Sequence, residues 1–495
     1  MCGILYVRST CDLPNSLHDS ALEILSKRGP DFAVSHRGPG VFVAQTVLHI
    51  TGQSDFYHEP KSDFLAYNGE IYNYKKFGNY STDTELVYHT VKHHQDQFKQ
   101  FEGPWAWVYH NNDQVLYASD PQGERCLYHY QDSDLLIVSS EVAAILCYVN
   151  AQHNQVPYHN KCWTMIEQTP WTGVTRCRPG QLYINGVAKH ELDSVWSWIK
   201  PQQHITLQDA DQEFERIWTE VGELLQPNCA ATLSYSAGLD SNIIMQQTPD
   251  LNLMAIDVIG KDPVIVNIKD FLNTHELDRL KMVSVDAEQW AQHYRELIQH
   301  TRMPAQTWSY VGKWLVAKHS ADRVIFTGLA ADELFGGYEC YKTIQYDQTG
   351  SHSPYSHHDH DGLWQSCLEV YHGDPRPATL LMDYWYQVVG VDAPGLDRLG
   401  GAWGKETRNP FMTRAVMKFA LNLPWELRVN TVSKPIVRNQ FLRRWNNNQI
   451  LPKMGFAGHA NDSLPWMGVD VAVTGDRQQD WKQIAQQTFY EYTTI

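Results

Sequence analysis

Apolar positions along this chain change their period near residue 200. Before it, short apolar segments such as residues 41–43 and 64–67 alternate with polar residues between Gly-rich turns, the pattern of strands in sheets packed face to face. From Asp209, Phe214, Ile217, Trp218, Val221 and Leu225 recur at helical spacing and predict an amphipathic helix. Short strand-like runs then follow at 229–233, 253–259, 281–285 and 324–327. Helical patterns lie between the later ones, one carrying Trp290, Tyr294, Leu297 and Ile298 and another running from about Trp308 to Lys318. Strands alternating with helices predict a parallel sheet covered on both faces, with ligands beyond the carboxyl ends of its strands. The aperiodic stretch 190–207 between the two regimes reads as a crossing. The expected division is 1–190, a linker at 191–208, and 209–495.

The segment from Leu233 to Ser241, L-S-Y-S-A-G-L-D-S, joins one such strand to a helix whose first turns are expected at Ser241 to Met245. Unpaired backbone N–H groups at a helix start suit an anion, so the turn has the shape of a phosphate cradle. It lacks the lysine and spacing of the common phosphate loop. A later strand ends in Thr327-Gly328-Leu329-Ala330-Ala331-Asp332, which places Asp332 on the same rim as Asp240. Two carboxylates on neighbouring strand ends suit a magnesium ion that bridges phosphates.

Composition narrows the class. At 495 residues the chain is too long for a single core. A net charge of −16 argues against broad nucleic-acid binding. No apolar run is long enough to span a membrane, and a soluble, cytoplasmic protein is expected. Nine scattered cysteines without C-x-x-C pairs fit reduced thiols. A homodimer is compatible with the sequence, which does not fix the oligomeric state.

One cysteine is Cys2, which removal of Met1 would expose with its own α-amine as a nearby base. Polar clusters follow at Arg28 to Asp31 (R-G-P-D), Asn68 to Asn73 (N-G-E-I-Y-N) and Thr82 to Glu85. An Asn side chain followed by a glycine N–H, as at Asn68 and Gly69, can supply two donors to an oxyanion. The same cluster could equally make a hairpin turn.

The start M-C-G-I, these clusters, D-P-Q-G-E-R-C-L-Y at 120–128 and Ser139-Ser140-Glu141 together resemble the class II glutamine amidotransferase domain of the N-terminal nucleophile hydrolases. The resemblance implies an αββα sandwich, with Cys2 as nucleophile and Asn68 and Gly69 as oxyanion hole. It also implies that Arg28, Asn68, Glu70 and Asp83 contribute to glutamine binding. The second region resembles the asparagine synthetase domain of the adenine-nucleotide α-hydrolases, a doubly wound parallel-sheet, ATP pyrophosphatase-type fold. Its motifs are S-A-G-L-D-S at 236–241, T-G-L-A-A-D-E-L-F-G-G-Y at 327–338, E-T-R-N-P-F at 406–411, K-P-I-V-R at 434–438 and K-M-G-F at 453–456. That resemblance implies ATP and Mg2+, with aspartate amidated through a β-aspartyl-AMP by ammonia or glutamine nitrogen. Leu233, Ser234, Ser236, Gly238, Asp240, Ser241, Ile256, Thr327 and Gly328 would hold ATP and its pyrophosphate. Asp240 and Asp332 would hold the metal, Lys434 would stabilise developing charge, and Arg408 would orient aspartate or serve a structural ion pair.

Three departures stand out. Val47 lies where the family has an arginine for the glutamine carboxylate, with His49 the nearest cation. Leu329 replaces an acidic residue, which leaves Glu333 as a neighbouring substitute and the acceptor open. Ala237 replaces a glycine, which matters only where φ is positive or phosphate approaches closely. The histidines at 352, 357, 358 and 360 read as a solvated loop rather than a metal site.

Overall fold

The computed structural model describes residues 1–50, 63–111, 114–153, 166–202, 204–259, 268, 272–305, 307, 309–344, 362–444 and 487–493. The first unit contains β1 (Gly3–Ser9), β2 (Phe32–Gly38), β3 (Val41–Val47), β4 (Phe64–Gly69), β5 (Trp105–His110), β6 (Val115–Ser119), β7 (Tyr128–Gln131), β8 (Leu135–Ser139), β9 (Val174–Arg176), β10 (Gln181–Ile184) and β11 (Val187–Glu191). They form two antiparallel sheets, β2-β3-β1-β8-β7-β9 and β11-β10-β6-β5-β4. Strand side chains alternate in direction, so each strand serves two layers. Ile4, Tyr6, Val43, Phe64, Ala66, Val108 and Val138 fill the space between the sheets. Leu5 and Val7, on the other face of β1, pack on Ala21 and Leu25 of α1 (Asn15–Ser26). Leu65, Tyr67, Trp105 and Trp107 pack on Leu86, Val87 and Val91 of α2 (Asp83–His93). The layer order is helix, sheet, sheet, helix, as expected.

The second unit is a parallel sheet, β14-β13-β12-β15-β16, from β12 (Ala231–Ser234), β13 (Asn252–Val258), β14 (Leu280–Val285), β15 (Val324–Phe326) and β16 (Glu406–Arg408). β12 lies at its centre and is buried on both faces, consistent with its continuous apolar run. The predicted helices appear at Leu207–Leu224, Ala287–Thr301 and Ser309–His319. The helix after β12, Leu239–Gln247, starts two residues before the expected Ser241, which puts Asp240 in its first turn.

The crossing between units is packed. Asp193 accepts from the Trp198 indole N–H at 3.0 Å and from Arg414 Nη2 at 2.5 Å. The Arg414 guanidinium lies 4.3 Å from the Trp198 ring centre. Further ties span the units. Arg323 holds Asp31 with two N–H groups at 2.6 and 2.8 Å, Arg398 donates to the Tyr128 hydroxyl, and Arg176 donates to the Val389 carbonyl. Among the described residues no helix is long and apolar enough to cross a membrane.

Candidate active sites

The end of β4 carries Asn68 and Gly69 to the chain's N-terminus. The Cys2 N–H donates to Asn68 Oδ1 at 2.8 Å, which fixes the amide so that Nδ2 is its remaining donor face. Asn68 is fully buried, and its Nδ2 has no hydrogen-bond partner among the described residues. A buried donor without a partner is costly unless something is meant to arrive, so this geometry fits an oxyanion hole. Gly69 is required by close approach: a Cβ there would strike the Pro104 carbonyl, and it would lie 2.7 Å from Trp105 Cα.

Asp83 opens α2 beside this strand. Its Oδ2 accepts from the Tyr67 hydroxyl and from the Ile71 N–H, both at 3.0 Å. Burial pushes its pKa up to about 6, against the lowering effect of these hydrogen bonds. The Thr82 hydroxyl caps the helix by accepting from Glu85 N–H, so the T-D-T-E cluster is a helix start that positions Asp83.

At the head of the second sheet the loop 235–238 is braced by Asn242. Its Nδ2 donates to the Ala237 carbonyl at 2.9 Å, and its Oδ1 accepts from the Tyr235 hydroxyl at 2.9 Å. Gly238 N–H donates to Ser236 Oγ, and Ser241 Oγ donates to the Gly238 carbonyl. Ala237 has φ +54° and Ala330 φ +71°, so both rims of the site hold an alanine in the left-handed region. The Ala237 substitution is therefore not the small change expected where φ is negative.

A cavity of about 250 Å³ opens beside this loop. Ser234, Ser236, Asp240, Ser241, Thr327, Gly328, Leu329 and Asp332 line it, bringing both predicted strand-end clusters together. Lys434 Nζ sits between the carboxylates, 2.6 Å from each Asp240 oxygen and 2.7 Å from Asp332 Oδ1. Burial lowers the lysine's pKa, but Asp240 and Asp332 outweigh it, and the net shift is upward. Lys434 has φ +52° and is 4% exposed, a strained placement for a lysine before a proline. Gly337 makes room for it, since a Cβ there would overlap Asp332 Oδ1 and Lys434 Cε. Two carboxylates already sharing one cation form a donor set that a hard divalent ion also suits.

Several predicted residues lie elsewhere. Arg408 does not face this cavity: its Nε, Nη1 and Nη2 donate to Glu406, to the Leu225 carbonyl and to Glu70, at 2.9, 2.6 and 2.6 Å. Fully buried and spent on these partners, it is the structural ion pair of the two readings. Glu70 is correspondingly engaged through its carboxylate by the second unit. Its carboxyl hydrogen-bonds to Glu406, and burial, then Glu406, hold its pKa well above the usual range. Arg28 donates to the Cys2 carbonyl at 3.1 Å, but its other nitrogens serve Glu141 at 2.6 Å and Asp397 at 2.8 Å. It therefore bears on Cys2 through the main chain. Ile256 packs against two apolar clusters and does not line the cavity, and Leu233 is a core side chain of β12.

Val47 is buried, and the His49 ring lies tilted against Phe32, with its N–H donated to Asp31 and its carbonyl taken by Arg323. Glu333 is buried and accepts from the Tyr338 hydroxyl at 2.9 Å. Burial, then Asp332, pushes its pKa up to about 7. Leu329, not Glu333, lines the cavity. The histidine-rich loop and Lys453 to Phe456 lie outside the described residues. Sequence reading missed Asn242 and also Lys313, a cavity-lining cation paired with Asp392, which itself accepts from Gln387 at 2.8 Å.

Comparison with known proteins matches residues 1–196 to the glutamine amidotransferase domain and residues 231–464 to asparagine synthase. The chain thus joins a glutamine amidotransferase domain to an asparagine synthase domain. A relative is asparagine synthetase [glutamine-hydrolyzing] 3 of Arabidopsis thaliana, 22% identical over 92% of this chain and 77% of its own length. Another, asparagine synthetase [glutamine-hydrolyzing] 1 of Bacillus subtilis, is 23% identical over 69% of this chain and 60% of its own. Amidase chry2 of Gibberella zeae is 22% identical over 66% of this chain, which spans only 55% of that protein. Among solved structures, the glutamine phosphoribosylpyrophosphate amidotransferase of B. subtilis is similar at a TM-score of 0.29 and 14% identity, covering 66% of this chain and 81% of that one.

Proposed function

We propose that the chain is a glutamine-hydrolysing asparagine synthetase, a carbon–nitrogen ligase. It would convert aspartate, ATP and glutamine to asparagine, AMP, pyrophosphate and glutamate through a β-aspartyl-AMP. The observation that carries the reading is the convergence of Asp240, Asp332 and Lys434 on one point beside an open helix N-terminus, in a chain that also presents Asn68 to Cys2.

At the first site, Cys2 Sγ would attack the glutamine amide once Met1 is removed, with the new α-amine taking the thiol proton. Asn68 Nδ2 would receive the oxyanion, and Asp83, once ionised, the substrate ammonium. At the second site, the 236–241 turn would grip the pyrophosphate portion of ATP, and Lys434 would offset charge as the carboxylate displaces it. Mg2+ held by Asp240 and Asp332 would neutralise phosphate charge. The acyl adenylate then has a good leaving group for ammonia to displace. Gly400 lines the cavity, and a Cβ there would lie 2.6 Å from the Met1 methyl, so loss of Met1 would leave space between Cys2 and the cavity.

A second reading keeps the chemistry and changes the acid. It is favoured by Leu329, Leu396 and Leu399, which give the cavity an apolar wall. AMP and pyrophosphate formation over a panel of carboxylic acids under saturating ammonia separates the two. Aspartate leading the panel supports the first reading, and another acid leading supports the second. No turnover with any acid would refute both.

A further inference from the structure

A buried bridge connects the two sites through Asn409 and Glu124, to which no role has been given above. Asn409 follows β16 and is 5% exposed. Its Nδ2 donates to Glu124 Oε2 at 2.6 Å, and its Oδ1 accepts from the Thr327 hydroxyl at 2.5 Å. The Thr327 oxygen also accepts the Leu329 N–H at 3.3 Å, and both residues line the cavity. On the other side, the Glu124 N–H donates to Asp120 Oδ1 at 2.9 Å. The Asp120 N–H donates to the Trp105 carbonyl at 2.7 Å, and Trp105 pairs with Gly69. A chain of buried hydrogen bonds thus runs from the cavity rim to the strand end beside Cys2.

The stereochemistry of Thr327 makes this chain responsive. A hydroxyl has one proton to give, and here it is given to Asn409 Oδ1. A phosphate oxygen arriving at the rim would compete for that proton, and Asn409 would then lose its donor inside a buried interface. The amide must reorient, and its other end is the bond to Glu124. We propose that Asn409 is a positioning residue through which nucleotide occupancy at Thr327 adjusts the Asp120 turn and the glutamine site. The inference rests on the two-site reading above.

The test uses the full chain and measures glutamate release with and without Mg-ATP and the preferred acid, together with the ratio of glutamate to amide formed. The expected wild-type behaviour is stimulation of glutamate release and a ratio near one. Asn409→Leu should lose about fivefold or more of the stimulation, the lower end of ordinary site coupling, and its ratio should rise. Basal glutamate release and ammonia-dependent amidation should stay within about twofold, well short of that loss. Glu124→Leu should behave like Asn409→Leu. Glu124→Gln keeps an acceptor for Asn409 and should retain stimulation, a distinction that a general packing defect would not make. Stimulation in both leucine variants equal to wild type, or a wild type that amidates without stimulation, would overturn the inference alone. A wild type that forms no amide from either nitrogen source would overturn the two-site reading and the inference with it.

Discussion

Lys434→Met removes the cation between Asp240 and Asp332 while keeping most of the side-chain volume. Breaking a fully buried pair by deleting one partner costs about 3–5 kcal/mol. Here the carboxylate side chains keep 24% and 20% of their exposure, so water and protonation recover part of the loss. A destabilisation of about 2 kcal/mol is expected, or roughly 4–8 °C for a domain of this size. The two carboxylates left facing each other should then recruit a divalent ion. Mg2+ at ten times its dissociation constant would return about 1.4 kcal/mol. Thermal unfolding of wild type and variant across a magnesium titration checks this. Without nucleotide, the variant should regain several degrees, while wild type, whose ammonium fills the position until Mg2+ arrives with ATP, should move by less than about one degree, a small fraction of the expected loss. Equal magnesium dependence in the two proteins would refute the shared cation position.

Other outcomes follow from the same geometry. Asn68→Ala should lower glutamine-dependent turnover about 10²–10³-fold, the range for an oxyanion donor, while ammonia-dependent turnover persists; steady-state assays with each nitrogen source read this. Asp83 holds its proton up to about pH 6, above the ordinary value near 4. The folded state therefore binds the extra proton, and this group's contribution to stability falls as pH rises from about 4 to 6. Only the ionised form meets a substrate ammonium, so the KM for glutamine should fall as pH rises through 6, and Asp83→Asn should flatten that profile. Ala237→Gly relieves a left-handed alanine worth about 1–2 kcal/mol, less about 0.5–1 kcal/mol for glycine's greater freedom in the unfolded chain. Its thermal stability should rise by the small remainder, as thermal unfolding would show, and a fall would contradict the strain.

Much of the architecture was legible because it rests on local patterns. Period-two alternation marked the sandwich strands, the Phe214 to Leu225 spacing marked a helix, and the continuous run before Ser236 marked the central strand. The roles of charged residues were less legible. Arg28, Glu70 and Arg408 sit in motifs that suggest ligands, yet Arg28 meets Glu141 and Asp397, and Glu70 meets Arg408, across distant parts of the chain, and no spacing rule joins them. Lys313 and Asn409 went unnoticed for the same reason, since each matters through a long-range contact, whereas Asn242 braces its own loop through a turn geometry that its residue type does not announce. The backbone at Ala237 was also hidden, because its positive φ is a property of the loop and not of alanine.

The most direct measurement follows nitrogen. The full chain is supplied with ATP, Mg2+, aspartate and glutamine labelled with 15N at its amide, alongside Cys2→Ala and with unlabelled ammonia as the alternative source. Label in the asparagine amide from wild type, its loss in Cys2→Ala, and continued ammonia-dependent synthesis by that variant are the predicted results. Asparagine labelled equally by both proteins, or loss of both reactions in a folded Cys2→Ala variant, would contradict a two-site glutamine-dependent synthetase.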